Sequence, residues 1–148
     1  MDTLPDVTAT GGDGASLRLA DLPRPLVVYF YPKDDTPGCT REAQDFSALA
    51  DDYAAAGVTV LGVSRDTVAK HARFREKHGL AVALASDLDG SVTEAFGVWG
   101  EKQLYGKTYM GIERATFLFD RDATLVRAWR KVKVPGHAEA VLEAAKAL

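Results

Sequence analysis

One cysteine, Cys39, is all the thiol this 148-residue chain carries. An internal disulfide and a multi-cysteine metal centre are both excluded, and a reducing compartment suits such a chain. No apolar run approaches the roughly 18 residues that a membrane span needs. The first residues, MDTLPDVTATGGDG, lack the basic start and continuous apolar stretch of a secretory signal. A cytoplasmic protein is the expectation. Positive charge is not in surplus either: 18 basic against 21 acidic residues leave a net charge of -3, which offers nothing to nucleic acid or an anionic membrane. Repeats, linkers and low-complexity tracts are missing.

What is present has the balance of a soluble globular protein, 47% hydrophobic and 26% charged. The length is that of one domain covering residues 1–148. Gly11, Gly12 and Gly14 between short mixed segments predict an N-terminal β-hairpin. PLVVYFYP (25–32) is rich in β-branched and aromatic residues and predicts a buried central strand that Pro32 ends. From Thr36 onward, Cys39, Ala43, Phe46, Ala50 and Tyr53 recur at helical spacing, one helix with one buried face that Gly57 stops.

VTVLGVS (58–64) is the next strand; a helix carrying Val68, Ala72 and Phe74 runs to Gly79; AVALAS (81–86) is a third strand. This alternation predicts an α/β fold whose parallel strands carry helices on both faces. After a short helix around Val92 to Phe96, GVWGEKQLYGKTYMG is too glycine-rich and aromatic for a regular element. RATFLFD (114–120) and TLVRAWR (124–130) read as antiparallel strands, and Ala138, Val141, Leu142 and Ala145 mark a last helix.

In DDTPGCT, Thr36 suits the N-cap, Pro37 the first helical position, and Cys39 falls in the first turn. The unpartnered N–H groups and the helix dipole there favour thiolate over thiol. The plain alternative is a packed core cysteine. Dithiol exchange would need a second cysteine where Glu42 stands. A cysteine hydrolase would need a histidine, and His71, His78 and His137 all read as solvated surface residues.

Pro32, Thr36 and Cys39 form P-x3-T-x2-C, which resembles the peroxiredoxin active-site motif. FYPKDDTPGCTREAQDF is similar to the Q-type subfamily, also called bacterioferritin comigratory proteins. So are FGVWGEKQLYGKTYMGIERATFLFD and RAWRKVKVPGHAEAVL, and the likeness covers nearly the whole chain. It implies a peroxiredoxin-type thioredoxin fold, a central mixed β-sheet flanked by helices with an N-terminal β-hairpin.

The resemblance also implies a thiol peroxidase that reduces hydrogen peroxide and alkyl hydroperoxides, with Cys39 as peroxidatic nucleophile and no cofactor or metal. Pro32 would shield the thiolate. Thr36 would bond the sulfur or the peroxide oxygen, and Arg114 matches the arginine that stabilises thiolate and developing charge. The Gly38 and Cys39 N–H groups would add to that set. Glu42 reads either as a partner that orients the arginine or as an ordinary first-turn carboxylate.

Many Q-type members carry a resolving cysteine five residues after the first, and others carry it in the following helix. Here the first place is Gln44, and HARFREKHG in the second has no cysteine. A Cys39 sulfenic acid would need an external thiol, thioredoxin or glutathione with glutaredoxin. Q-type relatives are typically monomers and sometimes dimers; a monomer is expected here. Two other readings compete. LASDLDGSV resembles the haloacid-dehalogenase motif, with Asp87 as nucleophile and Asp89 beside it, although Asp-Leu-Asp-Gly is also common turn composition. A non-catalytic thioredoxin-fold binding module is the other.

Overall fold

Nine strands and five α-helices make up the computed structural model, which describes residues 1–148. Strands β1 (Thr8–Thr10) and β2 (Ser16–Arg18) form the expected hairpin. Strand β3 (Leu26–Phe30) is buried along its whole length. It pairs in parallel with β4 (Thr59–Ser64), which pairs in parallel with β5 (Ala83–Ser86). On its other side β3 pairs antiparallel with β8 (Ala115–Phe119), and β8 with β9 (Leu125–Trp129). The seven-stranded order is β2-β1-β5-β4-β3-β8-β9, a mixed sheet.

Alternation along β3 divides the core. Val27 and Tyr29, with Tyr31 just beyond, face Cys39, Phe46, Phe74 and Val141, while Leu26, Val28 and Phe30 face Val92, Phe96 and Phe117. The first group belongs to helices α1 (Pro37–Ala48), α2 (Ala50–Ala55), α3 (Val68–His78) and α5 (His137–Lys146); the second packs under α4 (Ser91–Ala95). On the first face Tyr29 crosses over Gly62, where a Cβ would sit 2.6 Å from the tyrosine ring.

Four expectations are corrected. The helix expected to run unbroken through Tyr53 is two, broken at Leu49, whose N–H closes a tighter turn onto the Phe46 carbonyl. The buried stripe survives the break, because Phe46 and Tyr53 are both buried. The third strand starts at Ala83 rather than at residue 81, since the Ala81 and Val82 N–H groups donate to Ser47 Oγ at 3.0 and 3.2 Å. In α3 the buried face carries His71 and Phe74, and Ala72 points outward.

The segment expected to be irregular is a β-hairpin, β6 (Trp99–Leu104) with β7 (Lys107–Ile112). Its turn residues Tyr105 and Gly106 have φ of 52° and 76°, the paired positive angles of the tight turn that matches strand twist. Gly100 and Gly111 face each other across the ladder. The Lys102 stem fills the space over Gly111, where a Cβ would lie 2.9 Å from its Cδ. The glycines serve the hairpin instead of breaking it.

Candidate active site

The site forms where β3 hands over to α1. Register places Phe30 opposite Ala115, so the next residues along, Tyr31 and Arg114, continue beside each other at the strand ends. Thr36 occupies the N-cap position in extended conformation, φ -92° and ψ 154°, with Pro37 at the first helical position. The first helical backbone bond runs from Thr40 N–H to the Thr36 carbonyl at 2.8 Å, which leaves the Gly38 and Cys39 N–H groups open in the first turn.

Cys39 is 2% exposed. Arg114 Nη2 donates to its Sγ at 3.4 Å, and Nη1 donates to Glu42 Oε1 at 2.8 Å. The guanidinium is thereby fixed at both ends. Its closeness needs Gly38, where a Cβ would stand 3.0 Å from Nη2. Glu42 lies one turn after Cys39 on the same buried face, and of its two readings the bond to Arg114 fits the arginine-orienting one.

Burial pushes the Glu42 carboxyl up to about 7, against the pull of Arg114. Its Oε2 has no partner, and neither has the buried Tyr29 hydroxyl. Burial also raises Tyr29, with the Glu42 charge as the next cause. Arg114 is held firmly charged: its own burial opposes this, and Glu42 and Cys39 together outweigh that burial.

The Thr36 hydroxyl does not cap the helix. It donates to the Lys33 carbonyl at 2.8 Å, so its proton is used and its lone pairs are free. Pro32 is half-buried and shares a groove with Lys102 of the hairpin. The Lys102 ammonium is lowered by burial and by Arg114, and Cys39 acts on it in the opposite sense. That lysine was missed from sequence because its neighbours were read as irregular.

Two of the three histidines are buried, which corrects the surface reading. His71 Nδ1 lies 2.6 Å from Asp34 Oδ2 and Nε2 lies 3.1 Å from the Ala85 carbonyl. His137 Nε2 lies 2.7 Å from Thr116 Oγ1, and burial pulls its ring down to about 4, with Arg114 adding to the effect. His78 binds the exposed Asp35. No histidine bonds to Cys39, and the hydrogen bond its sulfur receives from a side chain comes from Arg114.

Asp87, the competing nucleophile, is fully buried with both oxygens occupied: Oδ1 accepts from Val92 N–H at 3.1 Å and Oδ2 from Thr93 N–H at 2.8 Å. It caps α4. Asp89 does the same locally for Ser91.

A buried lone thiol in the first turn of a helix, bridged by a guanidinium on a mixed sheet of this topology, defines a thioredoxin-fold protein of the peroxiredoxin class. Residues 1–128 match the AhpC/TSA family. The chain is 52% identical to Peroxiredoxin Bcp of Xanthomonas campestris pv. campestris over 141 residues, 95% of this chain and 88% of that one. It is 45% identical to Peroxiredoxin Bcp of Bacillus subtilis, over 96% of this chain and 91% of that one.

Among solved structures, a cysteine-to-serine mutant of Xanthomonas campestris Peroxiredoxin Q superimposes with a TM-score of 0.90 at 48% identity, covering 99% of each chain. A cysteine-to-serine mutant of Xylella fastidiosa PrxQ gives 0.91 at 43% identity, over 99% of this chain and 94% of that one. The chain belongs to the AhpC/TSA family, in its Bcp/PrxQ peroxiredoxin branch. It is a thiol-dependent peroxidase.

Proposed function

We propose that Cys39 is the peroxidatic nucleophile, attacking hydrogen peroxide or an alkyl hydroperoxide in a site assembled by Arg114, Thr36 and Pro32. The observation that carries this is the Arg114 guanidinium, which donates to Sγ while Glu42 holds its other arm. Sulfur attacks one peroxide oxygen and the other leaves as hydroxide or alkoxide, so donors near both lower the barrier. Arg114 and the open Gly38 and Cys39 N–H groups supply them. With its proton on the Lys33 carbonyl, the Thr36 oxygen accepts a hydrogen bond from the peroxide hydroxyl and orients it. Pro32 keeps water off the thiolate.

The product is a Cys39 sulfenic acid. Gln44 is exposed and α3 carries no cysteine, so the sulfenic acid is resolved by an external thiol, thioredoxin or glutathione with glutaredoxin. The reading is of one domain over residues 1–148, a cytoplasmic monomer in antioxidant defence that works without nucleic acid, membrane, metal or cofactor. No helix is long and apolar enough to cross a membrane.

Consumption of hydrogen peroxide and of an alkyl hydroperoxide, each with either reductant, tests the proposal against Cys39→Ser. Wild type that consumes neither faster than the serine variant rejects it. A Cys39 alkylated no faster than a free thiol would favour a binding module instead.

A further inference from the structure

Beside Pro32 lies a groove of about 410 Å³ between the Lys33 segment, the Arg65–Asp66 loop and the β6–β7 hairpin. Three cations line it, Lys33, Arg65 and Lys102, and none has a carboxylate at ion-pair distance. Arg65 is fixed in place: its guanidinium lies 3.4 Å over the Trp99 ring and donates to Thr93 Oγ1. The one acid in the lining, Asp66, is already engaged by Ser64 Oγ, the Asp34 N–H and Lys70. Met110 and Ile112 of the hairpin add apolar lining.

The groove adjoins the candidate site through Pro32 and Lys33, which line it, and the Lys33 carbonyl accepts from the Thr36 hydroxyl at 2.8 Å; Lys102 stands across from them on the hairpin. The Lys102 stem is pinned over Gly111 and the residue is half-buried. A cation held without a partner at that depth favours an anion entering from the groove.

We propose that this groove binds a small thiol bearing carboxylates and delivers its sulfur to Cys39. The inference rests on the peroxidase reading and names its reductant. A resolving cysteine in the same chain would present its thiol at high effective concentration; this chain has none, so binding must supply the encounter. Cys39 is nearly fully covered, which a small molecule tolerates better than a second folded protein.

The thiolate attacks the sulfenic sulfur, an S–S bond forms, the S–O bond breaks, and hydroxide leaves as water with the proton the thiol gave up. A second thiol then attacks the small-molecule sulfur of the mixed disulfide. Cys39 thiolate and the oxidised small disulfide are released, so two thiols are oxidised for each peroxide reduced.

The test follows Cys39 sulfenic acid, made with one equivalent of peroxide, by intact mass. Glutathione, neutral 2-mercaptoethanol and cationic cysteamine are compared, each rate corrected for that thiol's own thiolate fraction. Glutathione should react fastest, with a lead that shrinks as salt rises. Lys33→Gln with Lys102→Gln should cut the glutathione rate roughly fivefold and narrow its ratio to 2-mercaptoethanol.

Equal corrected rates for all three thiols overturn the site while leaving the peroxidase intact. So does a charge preference found in the peroxide step alone, or resolution by micromolar thioredoxin where millimolar glutathione fails. Absence of any sulfenic acid, read by dimedone trapping, overturns the peroxidase reading itself.

Discussion

Asp34 Oδ2 and His71 Nδ1 are 2.6 Å apart, and both side chains are nearly fully buried. Asp34 belongs to the loop that leads into the Cys39 helix, and His71 to the buried face of α3. Tyr31 donates to the other Asp34 oxygen at 2.6 Å, and the Asp34 N–H donates to Asp66 Oδ2 at 2.9 Å. Outside this cluster, Asp35 at φ 60° is held by Lys77 and His78. Two layers of contacts therefore clamp the segment before Thr36 onto one helix.

His71→Ala should expose the value of that clamp. The variant leaves Asp34 Oδ2 without its buried hydrogen-bond partner, a loss of about 1–3 kcal/mol. Thermal unfolding should fall accordingly, and amide exchange should quicken over residues 33–38. Exchange at wild-type rates in that loop would show that the pair supports the core alone.

Arg114→Ala should slow peroxide attack by about 100- to 1,000-fold, the usual effect of removing one donor to a developing oxyanion. Gly38→Ala is a milder test of the same geometry, because the new Cβ would meet Nη2 at 3.0 Å and displace the guanidinium with little effect on the fold. Stopped-flow oxidation measures both. Unchanged rates in both variants would remove Arg114 from the chemistry.

Thr36→Val should slow attack roughly five- to tenfold, the worth of one hydrogen bond, and Thr36→Ser should restore most of it. The distinction matters because the hydroxyl proton is committed to Lys33. If valine and serine behave alike, the hydroxyl has no part in the attack.

Much of this was legible in the residues. The apolar run of β3, the parallel alternation after it and the helical stripe from Cys39 to Tyr53 follow from periodicity. Thr36 as N-cap and Pro37 at the first helical position put the thiol in the first turn. The failures share a cause: partners distant in sequence. His71 and His137 read as surface residues because Asp34 and Thr116 lie 37 and 21 positions away. Glu42 could be read two ways until Arg114, 72 positions on, took its Oε1. The β6–β7 hairpin was hidden by glycines whose purpose appears only with the strands paired.

Glu42 and His137 should give the protein opposing pH responses. The folded Glu42 carboxyl, raised to about 7 from an ordinary 4.5, binds a proton that the unfolded chain has released. Its contribution to stability is present below pH 4.5 and is lost as the pH rises through 7, on the order of 1 kcal/mol per pH unit within that window. His137, lowered to about 4 from 6.5, does the reverse: its contribution is present above pH 6.5 and is lost as the pH falls toward 4. Across the overlap the wild type should show a shallow profile. Glu42→Gln should gain on wild type as the pH rises from 4.5 to 7, and His137→Gln should gain on it as the pH falls below 6.5. Urea unfolding of the three proteins over this range measures both slopes, and parallel curves would mean that neither group changes its protonation on folding.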